Sequence, residues 1–151
     1  MTKLVYIDVG THFGQEFQSM FGSSWYFFWK LVRRIIGFYI LRKGQKISAK
    51  NILELIRERR KIKKNEKNFL TYFIEANPKI INHSNVYKKA LGVFNFALTG
   101  DDNVNITNLY LANFSWEGEI SQGSSIFPHK DNVSKEKFLP TIGVPSKLFF
   151  D

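Results

Sequence analysis

The chain has 151 residues, of which 44% are hydrophobic and none is cysteine. This length and composition are enough for one domain with a single buried core. The absence of cysteine excludes a disulfide framework and a thiolate metal site, and the three histidines lie far apart in the sequence. We therefore expect a single domain over residues 1–151 and no metal site.

The net charge of +9 is concentrated in one segment. From Lys30 to Lys67 there are 14 Lys and Arg residues against three Glu, whereas the rest of the chain has a slight acidic excess. A local basic surface is typical of an inserted module rather than of a fold that binds nucleic acid throughout. We interpret residues 24–67 as a basic, aromatic helical insertion within the domain.

The N-terminal region does not resemble a secretory signal. It has no long apolar segment and no small-residue cleavage site, so we expect a cytoplasmic protein. Residues 24–41 are strongly apolar and aromatic, but Lys30, Arg33 and Arg34 lie in their middle. A spanning helix would bury these cations at the bilayer centre, which is costly. The segment therefore favours at most a peripheral contact with a membrane.

Strand and helix patterns alternate from the N-terminus. The run Leu4 to Val9 predicts a buried strand that ends in a glycine-containing turn, and a helix is expected from Gln15 to Phe21. Ser48 can cap a basic amphipathic helix that continues to about Lys64. Phe69 to Ile74 then predicts a second apolar strand.

The second half of the chain continues this alternation. Pro78 can begin a helix that ends near Ala90, and Val93 to Leu98 predicts a third buried strand. Asn105 to Ala112 and the stretch GEISQGSSIF predict a hairpin-like β segment, whereas the polar, proline-containing region after Phe127 is expected to be rich in loops. This order favours an α/β fold of the doubly wound, Rossmann-like kind.

Two strand ends have the residues that indicate chemistry, YIDVGTHFG at the first and YFIEANP at the second. Ligands of open parallel sheets bind beyond such carboxyl ends. The first loop lacks the GxGxxG pattern of dinucleotide sites. S-adenosylmethionine instead needs acceptors for its ammonium and a carboxylate for its ribose diol, which Asp8 and Glu75 can supply. Gly10 lets the backbone approach such a ligand.

These strand ends resemble the FkbM family of S-adenosylmethionine-dependent methyltransferases. The similar blocks are YIDVGTHFGQE, IEANP, the residues at 95–98 and those at 122–125, in order over about residues 4–127. The resemblance implies a Rossmann-like methyltransferase fold and O-methylation of a hydroxyl on a small molecule or sugar. It also implies roles for six residues: Asp8, Gly10 and Gly14 at the methionine end, Glu75 at the ribose, and Asn77 and Ala97 near the adenosine.

The chain departs from this family in two respects. About 40 additional residues separate the first helix from the second strand, and the sequence stops where family members continue into a fourth strand with an Asp-x-Glu motif. We therefore expect an incomplete methyltransferase fold, which a partner chain could complete. The alternative is a truncated, catalytically inactive family member that acts as a binding or membrane-surface module.

The candidate catalytic residues are His12, Asp101 and Asp102. His12 can orient the cofactor or act as a base, but its place in the glycine turn favours a packing or backbone-bonding role. Asp101 and Asp102 can accept a substrate proton, although TGDDN is also an ordinary turn sequence. Likewise, Glu75 can simply lie near a helix N-terminus, where negative charge is favoured.

The insertion has two interpretations of its own. The aromatic run at residues 25–29 and the neighbouring cations could bind an anionic membrane surface, or could pack on the domain with a solvated charged face. Nucleic acid is the less favoured partner, because the aromatic residues form one run instead of alternating with the cations.

Overall fold

Helices and strands alternate in the computed structural model, which describes residues 3–39, 49–112 and 124–150. The chain is a mixed α/β protein with two three-stranded sheets in these ranges. Short 3₁₀ helices at Glu66–Asn68 and Asn85–Lys89 add to the main elements. In chain order these are β1 (Leu4–Val9), α1 (Gln15–Phe21), α2 (Ser24–Tyr39), α3 (Ala49–Lys64), β2 (Phe69–Ile74), α4 (Pro78–His83), β3 (Gly92–Phe94), β4 (Ala97–Thr99), β5 (Asn105–Ala112), β6 (Val133–Pro145) and α5 (Ser146–Phe150).

The first sheet has the order β1-β2-β3. Strands β2 and β3 are parallel, with Tyr72 opposite Gly92 and Ile74 opposite Phe94. The predicted parallel pairing is therefore confirmed for these two strands. Parallel strands end at the same edge of a sheet, so the residues that follow β2 and β3 lie close together.

Strand β1 forms an outer edge of this sheet among the described strands. Val5, Ile7 and Val9 alternate along the strand, so they share one face, and all three are exposed. Leu4 is exposed as well. The prediction of a buried strand is wrong for β1, because its apolar side chains are exposed.

The second sheet has the order β4-β6-β5, with β4 parallel and β5 antiparallel to β6. The prediction of a loop-rich region after Phe127 is wrong, because Val133–Pro145 is a long strand. Pro140 is tolerated inside it because β4 pairs only with Gly143–Pro145, which leaves a single neighbour, β5, at Pro140.

Two other predicted elements are shorter than the sequence suggested. The single strand predicted at 93–98 is divided into β3 and β4, which belong to different sheets. Helix α4 begins at Pro78 as predicted, but it ends at His83 because Ser84 is extended and its hydroxyl accepts the N–H of Val86 to cap the next 3₁₀ helix. The predicted hairpin segment at 118–127 lies mainly outside the described residues, and the predicted cap at Ser48 lies wholly outside them.

The helices after β1 agree more closely with the sequence. Helix α1 covers Gln15–Phe21 and α3 ends at Lys64, both as predicted. No helix within the described ranges is long and apolar enough to cross a membrane. The expectation drawn from Lys30, Arg33 and Arg34 within α2 is consistent with that finding.

The chain divides into two compact units. The helical unit comprises residues 1–4 and 15–69, and so contains the segment 24–67; the sheet unit comprises residues 5–14 and 70–151. In the sheet unit, Phe73 is fully buried and packs edge-to-face with Tyr87 at a centroid distance of 5.6 Å. The remaining buried apolar residues of this unit include Ile74, Ile80, Val86, Ala97, Leu109, Leu111, Ala112 and Val133.

In the helical unit, a buried arginine of α3 binds the C-terminal end of α1. Arg59 of α3 is only 8% exposed, and it donates from Nε to the carbonyl of Ser19 and from Nη2 to that of Gly22, both at 3.0 Å. Its guanidinium also lies 4.8 Å from the ring centroid of Phe27. Lys63 donates to the carbonyl of Phe21 at 2.6 Å. Two cations of α3 thus satisfy carbonyls at the C-terminus of α1, where positive charge is favoured.

Candidate cofactor site

The loop Gly10–Gly14, termed the glycine loop, folds over the end of β2. The backbone N–H groups of Gly10 and Thr11 both donate to the carbonyl of Ile74, at 2.8 and 3.3 Å. Gly14 donates its N–H to the carbonyl of Thr11 at 2.7 Å, which closes a tight turn. Gly10, His12 and Gly14 all have positive φ, at 66°, 50° and 70°. The loop is therefore a tight turn held against the neighbouring strand end.

The two glycines of this loop are needed for different reasons. A Cβ on Gly14 would lie 2.5 Å from Cγ2 of Val86, so both its φ and the lack of space require glycine. A Cβ on Gly10 would meet nothing nearer than Nε2 of His12 at 3.8 Å, so only its φ requires glycine. Gly14 thus serves packing, whereas Gly10 borders open space.

Glu75 follows β2 and is 4% exposed. Its Oε2 accepts the backbone N–H of His12 and its Oε1 accepts that of Asn77, both at 2.8 Å. Each oxygen has a further lone pair that can accept a ligand hydroxyl. Nδ1 of His12 lies 3.8 Å from Oε2 of Glu75. The carboxylate is therefore fixed in position between the glycine loop and the start of α4.

Further hydrogen bonds hold the backbone on either side of this carboxylate. Nδ2 of Asn95 donates to the carbonyls of Glu75 and Ala76, at 2.8 and 3.2 Å, and the hydroxyl of Thr141 also donates to Ala76 at 3.2 Å. The N–H of Glu75 donates to the carbonyl of Phe94 at 3.0 Å. The link between β3 and β4, together with β6, thus fixes the segment in which Glu75 lies.

Asn77 is almost fully buried and serves as the N-cap of α4. Its Oδ1 accepts the backbone N–H of Lys79 at 3.0 Å, and Pro78 occupies the first helical position. Both features are typical of helix N-termini. The described role of this side chain is therefore to position the helix that starts beside Glu75.

Tyr87 supports the glycine loop from the core. Its hydroxyl donates to the carbonyl of His12 at 2.6 Å. Burial, followed by the negative charges of Glu75 and Asp8, raises the pKa of Tyr87 far above its usual range. The phenol therefore keeps its proton and remains a donor to the loop. Asp8 is itself buried, and its carbonyl accepts the hydroxyl of Thr11 at 2.8 Å.

A cavity of about 190 Å³ lies beside Glu75 in the sheet unit. Four of the seven residues expected to bind the cofactor line it, namely Gly10, His12, Glu75 and Ala97. The other three, Asp8, Gly14 and Asn77, do not line it. The remaining lining residues are Val9, Ile74, Ala76, Ile80, Phe96, Leu98, Leu109, Ser124, Ser125 and Ile126.

The two aspartates proposed as catalytic candidates lie elsewhere in the sheet unit. Asp101 accepts from Nδ2 of Asn105 at 2.9 Å, and Asp102 forms an exposed ion pair with Lys147. Both aspartates are exposed in the turn between β4 and β5, and neither lines the cavity. Of the three catalytic candidates, only His12 is brought to the cavity.

Several lining residues were not singled out from the sequence. Phe96 and Leu98 lie in the 95–98 block and Ser124 and Ser125 in the 122–125 block, so the resemblance was a usable signal for them. Ile80, Leu109 and Ile126 have no signal beyond being apolar. The site thus combines one carboxylate and one imidazole with a largely apolar wall.

Comparison with protein-family models, with curated proteins and with solved structures finds no match to this chain. The function is therefore inferred from the geometry around Glu75 and from the resemblance of the strand ends. The fixed carboxylate of Glu75, the imidazole of His12 and the adjoining cavity are the features that a function has to explain.

Proposed function

We propose that the chain binds S-adenosylmethionine beside Glu75 and transfers its methyl group to a hydroxyl of a small molecule or sugar. The observation that carries this proposal is the buried carboxylate of Glu75, held at the end of β2 by two backbone N–H groups and facing a cavity. A fixed carboxylate with unused lone pairs suits a ribose diol. The order β1-β2-β3 also matches one half of a doubly wound sheet, which supports a Rossmann-like methyltransferase fold.

The residues around the cavity fit the nucleoside part of this cofactor. Glu75 would hold the ribose, and apolar residues such as Ile80, Phe96 and Leu109 would surround the purine. A volume of about 190 Å³ is smaller than the roughly 300–1,000 Å³ of whole ligand sites, so it suits the nucleoside alone. The methionine end would extend past Gly10, where a Cβ is missing and space is open.

When bound, S-adenosylmethionine supplies a methyl group activated by a sulfonium. The chain would contribute mainly by holding the acceptor hydroxyl in line with that group. Among the described lining residues, His12 and Glu75 are the ionisable ones, and Glu75 is committed to two backbone donors. Nδ1 of His12 is buried next to Glu75, whereas Nε2 lies 3.8 Å from the position that a Cβ on Gly10 would take, and both His12 and Gly10 line the cavity. His12 is therefore the proposed acceptor of the hydroxyl proton.

The second candidate function is that of a catalytically inactive family member that binds a ligand or a partner. The observation that favours it is the place of β1 at the end of its three-stranded sheet, with Val5, Ile7 and Val9 exposed on one face. Open strand edges readily pair with a further chain. This candidate retains the cofactor cavity but predicts no methyl transfer by the chain alone.

Equilibrium binding of S-adenosylmethionine by calorimetry tests the proposal. We expect saturable one-site binding, lost in Glu75→Ala and strongly weakened in Ala97→Val, which fills the cavity without altering the hydrogen bonds of Glu75. Glu136→Ala, at an exposed position of β6, is the matched control and should bind like the wild type. A folded wild-type chain that does not bind, or an Ala97→Val variant that binds normally, would refute the site.

Methyl transfer then separates the two candidate functions. We expect the chain to transfer a labelled methyl group to a hydroxyl compound, with the rate lowered in His12→Asn. Asparagine tolerates positive φ, so this variant removes the imidazole and retains the loop. Binding without transfer to any hydroxyl compound would favour the second candidate.

A further inference from the structure

Three aromatic side chains form an exposed face on α2. Trp25, Phe28 and Trp29 are 66%, 51% and 47% exposed. Their ring centroids lie 5.5 to 6.3 Å apart, so the three rings contact one another. Spacing of three and four residues places them on one side of the helix. This cluster, termed the aromatic face, is an apolar surface of the kind that marks an interaction site.

The cations of the helical unit differ in how far they are already engaged. Arg59 and Lys63 bind carbonyls of α1, and Lys30 pairs with Glu16 at 2.6 Å. Arg33 is exposed on α2, one turn beyond Trp29, and does not pair with a carboxylate within the described chain. Arg34 lies on the opposite side of the helix from the aromatic face. The charge of Arg33 is therefore available to an external partner next to this face.

An open groove lies beside the aromatic face within the same unit. It has a volume of about 500 Å³ and is lined by Gln15, Tyr26, Trp29, Lys30 and Arg33. Four of these residues follow helical spacing on α2, so the phenol of Tyr26 and the guanidinium of Arg33 are presented together next to the indole of Trp29. The ammonium of Lys30 in the same groove is paired with Glu16. Guanidinium and ammonium groups are the side chains that bind phosphate oxygens best. The groove thus offers donors for a phosphate directly beside an apolar surface.

We propose that α2 docks on an anionic lipid bilayer, with the aromatic face in the interfacial region and lipid phosphates at the adjacent groove. Aromatic rings combined with nearby Lys and Arg are the features by which interfacial helices bind anionic membranes. The occupant is identified by charge complementarity, because an anionic surface matches the charge of Arg33, which the described chain leaves without a carboxylate. This proposal is independent of cofactor binding in the sheet unit.

Two other partners fit the same surface less well. A second copy of the chain would have the same 14 Lys and Arg and only three Glu in residues 30–67. The two positively charged surfaces would therefore repel each other. Single-stranded nucleic acid needs aromatic faces free for stacking, but Trp25 and Phe28 stack on each other with an interplanar angle of 23°. The bilayer is therefore the partner to test first.

Sedimentation of the full chain with vesicles tests the proposal. We expect binding to equimolar phosphatidylcholine and phosphatidylserine at about 0.1 M salt, with much weaker binding to phosphatidylcholine alone and at about 1 M salt, where charges are screened. Trp25→Ala/Trp29→Ala and Arg33→Glu should each lower the partition coefficient at least about tenfold. Equal sedimentation with both vesicle compositions would overturn the proposal.

Matched controls separate docking from general effects of hydrophobicity and charge. Phe127→Ala removes an aromatic ring that is 67% exposed in the sheet unit, and Lys88→Glu/Lys89→Glu reverses two adjacent exposed cations there. Both controls should bind like the wild type; an equal loss in the controls would overturn the proposal. Two further results would also overturn it. One is a chain that does not bind vesicles but self-associates in a concentration-dependent way; the other is a chain that does not bind vesicles but binds an oligonucleotide. A Trp25→Ala/Trp29→Ala variant that melts at a lower temperature and binds normally would place the aromatic face inside the fold and refute docking.

Discussion

The carboxylate of Glu75 accepts the backbone N–H of His12, 63 residues earlier in the chain, at 2.8 Å. Its second oxygen accepts the N–H of Asn77, so one side chain joins the glycine loop to the start of α4. Each such charge-assisted bond contributes about 1.5–3 kcal/mol. Removing the carboxylate would therefore weaken the loop as well as any ligand contact. For this reason Ala97→Val, which leaves both bonds in place, is the more informative binding variant.

The two loop glycines should differ in what an added methyl group costs. For Gly14→Ala, the positive φ should lower the free energy of unfolding by about 1–2 kcal/mol, and overpacking against Val86 should lower it by about 1–3 kcal/mol more. For Gly10→Ala, only the positive φ lowers the free energy of unfolding, by about 1–2 kcal/mol. We expect Gly14→Ala to lower the free energy of unfolding in urea by more than Gly10→Ala does.

A double-mutant cycle isolates the steric part of that difference. Val86→Ala should remove the contact, so that Gly14→Ala costs less in the Val86→Ala background than in the wild type. A favourable interaction energy of about 0.5–3 kcal/mol is expected between adjoining residues. Additive effects would mean that Val86 does not limit the space at Gly14.

Arg59 should be the most sensitive cation of the helical unit. Arg59→Ala leaves the carbonyls of Ser19 and Gly22 without their donor, and we expect a loss of about 3 kcal/mol in the free energy of unfolding. Arg59→Lys should recover only part of this, since an ammonium lacks the fork geometry that reaches both carbonyls. Arg60→Ala, at an exposed position of the same helix, should stay within about 0.5 kcal/mol of the wild type. Equal effects at the two positions would contradict the capping role.

Strand β6 shows why part of the fold could not be predicted from the sequence. Its alternate positions Thr141, Gly143 and Pro145 are buried, but none has a large apolar side chain, so no hydrophobic alternation is visible. A Cβ on Gly143 would lie 2.5 Å from Oδ1 of Asn105, which explains the glycine. By contrast, the strand Phe69–Ile74 was predictable because its apolar run is continuous. Patterns of apolar residues reveal strands only where burial selects large side chains.

The site could be predicted in part for a similar reason. Gly10 and Glu75 follow strand ends, where the sheet brings them together, and both line the cavity. Gly14 and Asn77, which were also expected to contact the ligand, do not line the cavity; Gly14 makes a tight packing contact and Asn77 caps a helix. Glycine and asparagine are the residue types that turns, caps and binding loops all need, so residue type alone cannot separate these roles. No sequence motif indicated that Tyr87 supports the glycine loop.

The cap at Asn77 provides a test of its two roles. Asn77→Ala removes the acceptor for the N–H of Lys79, and we expect the free energy of unfolding to fall by about 0.5–2 kcal/mol. Asn77→Ser keeps a capping oxygen and should recover most of this loss. Affinity for S-adenosylmethionine should be similar in both variants. A Ser variant with wild-type stability and much weaker binding would instead assign this side chain to the ligand.

Tyr87 should make the stability of the chain sensitive to alkaline pH. Its pKa is raised in the folded state by burial and by the charges of Glu75 and Asp8, whereas an unfolded tyrosine titrates near pH 10. Above about pH 10 the unfolded chain therefore binds fewer protons than the folded chain, and stability falls as the pH rises; below it the contribution is fully present.

The variant Tyr87→Phe tests this dependence in urea unfolding measured as a function of pH. Its free energy of unfolding should fall less steeply above about pH 10, with a slope that corresponds to up to one fewer proton released on unfolding. It should also cost about 0.5–1.5 kcal/mol at neutral pH, because the hydrogen bond to His12 is lost. An unchanged alkaline slope in this variant would show that Tyr87 ionises in the folded chain as readily as in the unfolded one.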